Sequence, residues 1–187
     1  MSSTASFAPP AFNLPAALVS QGFALRPETD DDIAFLTRLY ASTREEELKI
    51  VPWSDAQKQA FLADQFRAQR VHYRRHFRDC AFGVIEQRGE PAGRLYLEPR
   101  GSRLHIVDIA LLPEWRGKGV GTAILRALQD VARAQGKGVG IMVEVFNPAR
   151  QLYRRLGFTE TADHGVYLEM EWRPQAGDGE APALSGG

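Results

Sequence analysis

Residues 116–122, RGKGVGT, set three alternating glycines and two cations between an apolar run, IVDIALLP, and a helical pattern, VGTAILRALQDVA. No other stretch restricts the fold as much. The residues before it read as a strand. Those after it read as a helix from Gly119 to Ala134, with Val120, Ile124, Leu128 and Val131 on one face. A helix start leaves its first N–H groups without partners and carries a partial positive charge. Without side chains at Gly117, Gly119 and Gly121 an anion can approach those groups closely, and Arg116 and Lys118 add full charges. The stretch is therefore read as a phosphate or diphosphate site. Two familiar nucleotide signatures fail on spacing. A P-loop needs Ser or Thr after Gly-Lys, and Gly119 follows Lys118; the dinucleotide fingerprint needs a third glycine where Thr122 stands.

Elsewhere the pattern alternates between strand and helix signals. FALR at 23–26 reads as a strand, and Thr29 or Asp30 can cap a helix reaching about Ser42, with Ile33, Leu36 and Tyr40 on one face. STREEELKIVPW then reads as an irregular connection holding Glu45, Glu46 and Glu47. Ser54 and Gln57 form a capping box for a second helix, which carries Leu62, Phe66 and Tyr73 on one face. CAFGVIEQ and AGRLYLEP are two strands joined by the turn RGEP, and RLHIVDIALL is the next strand. VGIMVEVF at 139–146 reads as a buried strand. Asn147 can cap a helix with Pro148 at its first position, and Gly157 ends that helix. FTETAD and VYLEMEW form a closing hairpin. The order β α α β β β α β α β β, with hairpins in the middle and at the end, excludes a doubly wound parallel sheet. It predicts a mixed α/β sheet with one parallel crossover and helices on both faces.

The chain of 187 residues is one domain's length, and its 44% apolar content suffices for a core. Residues 1–21 read as an irregular arm, 22–173 as the folded domain, and 174–187, rich in Gly, Pro and Ala, as a disordered tail. The formal net charge is zero, so nucleic acid and membrane surfaces are not expected partners. The basic second helix, with Arg67, Arg70, Arg74 and Arg75, lacks the interleaved aromatics of a nucleic-acid surface. The N-terminus lacks the basic region of a signal peptide, and no apolar run is long enough to span a membrane. One cysteine, Cys80, allows no internal disulfide and reads as core. A cytoplasmic protein is expected. No metal site is expected either: His72 and His76 have i, i+4 spacing but no third ligand beside them.

LLPEWRGKGVGTAIL resembles the acyl-CoA-binding motif of the GNAT superfamily, the GCN5-related N-acetyltransferases, whose core Q/R-x-x-G-x-G/A is matched by Arg116, Gly119 and Gly121. VEVFNPARQLYRRLGF resembles the family's downstream motif N-P-A-x-x-L-Y-x-x-L-G-F. The two stand in the family's order and at its usual separation, and the likeness covers about residues 23–172. The resemblance implies the GNAT fold, a mostly antiparallel sheet splayed between its two parallel strands. It implies acetyl-CoA as co-substrate. Its pantetheine arm would pair with the backbone of Ile109, Ala110 and Leu111, and its diphosphate would lie on the amides of Arg116, Gly117, Lys118, Gly119, Val120, Gly121 and Thr122. Asn147 would contact the cofactor or order its loop.

The implied reaction is direct attack of a primary amine on the thioester in a ternary complex. Tyr153, six residues after Asn147, matches the family's tyrosine and would serve the leaving thiolate as acid or orienting group. Glu144, on an otherwise apolar strand, is the candidate base. Asp108 and His105 differ in strand parity, so at most one would face the site; both are weaker candidates. Glu45–Glu47 could attract a cationic acceptor, and Trp53 could wall its pocket. A homodimer fits the resemblance. The competing readings are a non-catalytic acyl-CoA-binding module and a phosphate-binding protein of another fold.

Overall fold

The structure, a computed structural model, describes residues 12–175. Seven strands, β1 (Phe23–Pro27), β2 (Ala81–Gln87), β3 (Glu90–Arg100), β4 (Arg103–Leu111), β5 (Gly138–Glu144), β6 (Thr159–Asp163) and β7 (Tyr167–Trp172), form one sheet in the order β1-β2-β3-β4-β5-β7-β6. Every neighbouring pair is antiparallel except β4 and β5. Among the described residues the α-helices are α1 (Ala16–Val19), α2 (Ile33–Lys49), α3 (Asp55–His76), α4 (Val120–Ala134) and α5 (Arg150–Arg155). The predicted mixed sheet with a single parallel crossover is what the chain forms.

Strand alternation divides the apolar residues between two cores. Ile85, Leu104, Ile106 and Val139 lie with α4 and α5 in the larger one, around Ile124, Leu125, Leu128 and Tyr153. The neighbouring Val84 turns to the opposite face and meets Phe35, Leu36, Leu39, Tyr40, Leu62 and Phe66 of α2 and α3. Burying a leucine of this kind stabilises the fold by about 1.5 to 3 kcal/mol. Among the described residues no helix is long and apolar enough to cross a membrane.

Several boundaries differ from those expected. Part of the N-terminal arm is ordered: Phe12, Leu14 and Leu18 bury their apolar side chains in the larger core, and α1 forms there. Residues 1–11 and 176–187, the remainder of the arm and nearly all of the tail, lie outside the described residues. The helix expected to stop at Ser42 continues to Lys49. Its added turns hold strong helix formers and the ion pairs Arg44–Glu47 and Glu46–Lys49, one turn apart. β5 ends at Glu144, and Phe146, expected inside a buried strand, is 96% exposed. α5 starts at Arg150, beyond Pro148; Asn147 Oδ1 accepts the N–H of Ala149 at 2.9 Å and so orders the turn before the helix. Ser54 and Gln57 do form a reciprocal capping box. Gly157, at φ +83°, terminates α5 in the left-handed region.

Two features position the site. β4 carries a bulge: Tyr96 pairs with Asp108 and Leu97 with Ile106, leaving Val107 unpaired. And β3 approaches β4 so closely that a Cβ on Gly93 would stand 2.4 Å from Ala110 O and 2.8 Å from a Leu111 methyl. Because the first obstacle is backbone, Gly93→Ala must push the two strands apart. Urea denaturation is expected to show a loss of about 1 to 3 kcal/mol; an unchanged midpoint would mean the strands separate without cost.

Candidate functional site

β4 and β5 are paired only from Arg103–Gly138 to Ile106–Ile141. β4 then runs on to Leu111 and β5 to Glu144 with no pairing between them, so the sheet opens as a V whose arms end at Leu111 and Glu144. Leu112 N–H donates to Ala92 O, which fixes the alternation of backbone direction along this arm. Leu112 and Ala110 turn their peptide groups toward β3, while Ile109 and Leu111 turn theirs toward the gap. Of the three residues expected to offer backbone groups there, Ala110 therefore does not; its groups are used in pairing with Arg94.

The glycine stretch lies at the tip of the β4 arm. Gly117 and Gly119 have φ of +68° and +81°, which explains the glycines as backbone requirements as well as gaps in the side-chain cover. A Cβ on either would meet nothing within 4 Å, so the space above them is open. The first intrahelical bond of α4 runs from Ala123 N–H to Gly119 O. The N–H groups of Val120, Gly121 and Thr122 are thus free to receive an anion. The two cations are already engaged. Lys118 Nζ stands 5.1 Å from the ring centre of Trp115. Arg116 Nε donates to Leu111 O at 2.8 Å, and the guanidinium also reaches Ser42 Oγ at 2.7 Å and Ser42 O at 3.3 Å.

Tyr153 lies on α5 with its ring 4% exposed and 5.7 Å from that of Phe158. Burial, with a smaller push from the Asp108 carboxylate, raises its pKa above the ordinary phenol value. The hydroxyl therefore stays protonated at neutral pH and can donate. Glu144, at the end of the β5 arm, faces α2, where Arg44 grips it with two bonds of 2.8 and 2.5 Å. Arg44 also bonds Glu47 at 2.9 Å and lies 5.8 Å from the ring centre of Tyr40. Tyr167 is Glu144's partner across β5 and β7.

The bulge at Val107 overturns the parity argument for Asp108 and His105. Because Val107 is skipped, both side chains face α3. His105 stacks on Phe77, and Asp108 accepts a hydrogen bond from Tyr73 Oη at 2.9 Å. Asp108 is held further by Arg94, whose Nε and terminal nitrogen reach its two oxygens at 3.1 and 2.8 Å. Arg94 itself is 3% exposed. Sequence reading singled out neither Arg94 nor Arg44, because their partners are 14 and 100 residues away. Burial pushes the His105 imidazole down to about 4, so it is neutral at neutral pH, and pushes the Cys80 thiol up to about 12, so it is no nucleophile.

The basic face of α3 lies away from the V. Arg67, Arg70, Arg74 and Arg75 line a groove of about 630 Å³ between α2 and α3, with Ile33 and Val71. Most of this charge is matched: Arg70 and Arg74 reach Glu28, and Arg67 reaches Asp64. His72 and His76 stack at 4.1 Å, and among the described residues no group of three metal-ligating side chains comes together. Trp53 packs edge-on against Phe61 at 5.2 Å.

The arrangement can seat an anion at the tip of one arm and a slender chain along exposed backbone inside the gap. A buried phenol and a carboxylate stand on the other side. Comparison with known proteins finds likenesses of sequence and of fold. The family model described as "Acetyltransferase (GNAT) family" matches residues 36–158. Streptothricin acetyltransferase of Streptomyces lavendulae is 46% identical over 84 residues, 36% of this chain and 44% of that protein. N-alpha-acetyltransferase of Sulfurisphaera tokodaii is 36% identical over 101 residues, 44% of this chain and 58% of that protein. The chain thus spans about half the length of the curated relatives it matches. PaiA N-acetyltransferase from Thermoplasma acidophilum, solved in complex with coenzyme A, superposes with a TM-score of 0.61 at 15% identity, covering 81% of this chain and 99% of that one. Ribosomal-protein-S18-alanine N-acetyltransferase from Escherichia coli superposes with a TM-score of 0.53 at 17% identity, covering 85% and 99%. At these identities the structural likeness is one of fold.

Proposed function

The chain belongs to the acetyltransferase (GNAT) family, and on that premise we propose that it transfers the acetyl group of acetyl-CoA to a primary amine by direct attack in a ternary complex. The observation that carries this reading is the unpaired V with a bare, positive-φ glycine turn at the tip of one arm. The diphosphate lies on the amides of residues 116–122, and Asn147 orders the turn ahead of α5. The pantetheine arm follows Ile109 and Leu111 into the gap.

An alkyl amine with a pKa of about 10 arrives protonated and must lose a proton before it can attack. Glu144 accepts that proton, directly or through a water, once Arg44 yields its oxygens. A C–N bond then forms as the C–S bond breaks, with N–H groups of the open β4 arm facing the developing oxyanion. Tyr153 Oη gives its proton to the departing thiolate and regains one, directly or through water, from the new amide nitrogen, which sheds its second proton as the C–S bond breaks. The names of the two curated relatives support an acceptor amino group on a small molecule or at a peptide N-terminus. A cytoplasmic site of action is part of this reading, supported by the single cysteine.

The test is release of free CoA thiol across a panel of primary amines, with Tyr153→Phe alongside the wild type. The variant is expected to lose about 100-fold or more in kcat, the share of a positioned acid, with its affinity for acetyl-CoA unchanged. Equal turnover would remove Tyr153 from the chemistry. Tight acetyl-CoA binding with no product from any amine would favour a non-catalytic acyl-CoA-binding module.

A further inference from the structure

One turn of α2, residues 42–44, is bonded to both arms of the V. Ser42 holds the guanidinium of Arg116, which at the same time covers Leu111 O at the end of the β4 arm. Arg44, two residues on, crosses to Glu144 at the end of the β5 arm. Each contact occupies a group that acetyl transfer needs free: Arg116 and Leu111 O on the cofactor side, Glu144 on the acceptor side. Arg44 also has a second partner, Glu47, on its own helix and half exposed to solvent. It can therefore leave Glu144 without becoming an isolated cation.

We propose that Ser42 and Arg44 are positioning residues that couple the two substrates, so that acetyl-CoA taking Arg116 away from Ser42 loosens Arg44's hold on Glu144. The inference rests on the acetyl-CoA reading above and adds to it the route between its two sites. While Arg44 grips Glu144, the α2 turn is fixed and Ser42 is correctly placed for Arg116. When an anion on the glycine turn draws Arg116 off, one of the two ties is gone and Arg44 alone holds the turn. Coupling of this kind is reciprocal: weakening Arg44's hold must ease the release of Arg116 by the same factor.

The reciprocity makes a test that needs no knowledge of the acceptor. Acetyl-CoA is titrated calorimetrically into wild type, Ser42→Ala, Arg44→Gln and the double variant. Ser42→Ala is expected to bind about threefold tighter, having one hydrogen bond fewer to break. Arg44→Gln is expected to bind about two- to threefold tighter in the wild-type background and to have a clearly smaller effect once Ser42 is alanine, which leaves Arg116 only the residue-42 carbonyl, a failure of additivity typical of residues sharing one network. Arg44→Lys, which keeps one contact to Glu144, should fall between. A purely structural role would lower the melting temperature of the Arg44 variants without this dependence on background. The inference is overturned if Arg44→Gln leaves affinity unchanged, weakens it, or shifts it equally in both backgrounds while the wild type binds normally. A wild type that does not bind acetyl-CoA overturns the proposed function as well.

Discussion

Gly119→Glu is expected to bind acetyl-CoA about a thousandfold more weakly than the wild type. Gly119 is the residue before α4, at φ +81°, with nothing within 4 Å of where a Cβ would be. The folded protein therefore has room for the longer side chain, at a cost of about 1 to 2 kcal/mol for an L-residue in the left-handed region. That cost falls on stability. The cost to binding comes from charge: a carboxylate about 4 Å from one phosphate charge, at an effective dielectric near 20, is repelled by about 4 kcal/mol, or roughly three orders of magnitude in affinity. Gly119→Ala separates the two effects, since it carries the backbone strain and no charge. Calorimetric titration of both variants checks this. If the glutamate and the alanine bind alike, the diphosphate does not lie on this turn.

The second large effect is structural. Asp108→Ala removes the carboxylate that Arg94 and Tyr73 share and leaves a guanidinium that is 3% exposed with no carboxylate against it, keeping the side-chain oxygen of Gln69 and the Tyr96 ring, 5.3 Å from its centre. Stranding a buried charge in this way costs about 3 to 5 kcal/mol. Urea denaturation should show this as a marked fall in the midpoint. Replacing the whole cluster, with Arg94→Met, Asp108→Leu and Tyr73→Phe together, should recover most of the loss, because no buried charge is then left behind and the Gln69 amide, which loses Arg94, is part-exposed and can turn to water. If the single Asp108 variant is as stable as the wild type, water reaches Arg94 and the cluster is not the sealed unit described. Either way, the cluster stands where the bulge in β4 begins the opening of the V, so its integrity bears on the site as well as on stability.

The fold was legible where the chemistry is local. Strand-to-helix punctuation at Gly119, the capping box at Ser54 and Gln57, and the left-handed stop at Gly157 each depend on a few adjacent residues, and each is found where its residue types put it. The two hairpins and the single parallel crossover followed from the spacing of the strand and helix patterns. What escaped was non-local. Around Glu45–Glu47 the helix formers and the pairs Arg44–Glu47 and Glu46–Lys49 suit a helix, while the run of charge suits a solvated connection as well; the tertiary bond from Arg44 to Glu144 fixes that turn on the sheet. The bulge at Val107 has no signature in RLHIVDIALL, yet it reverses the parity on which the reading of Asp108 and His105 depended. The glycine stretch and Tyr153 could be picked out from sequence pattern. The contacts that hold the candidate side chains, Ser42 on Arg116, Arg44 on Glu144 and Arg94 on Asp108, are brought together only by folding.

The glycine turn and the open V together are proposed to hold acetyl-CoA. Titration of the wild-type protein with acetyl-CoA, repeated with ATP and then NAD at saturating concentration in the cell, tests it most directly. Saturable one-to-one binding that neither nucleotide abolishes is expected, because the V takes the pantetheine arm that both of them lack. Absence of binding, or its loss when ATP or NAD is present, would contradict the account and return the glycines to a general phosphate-binding turn.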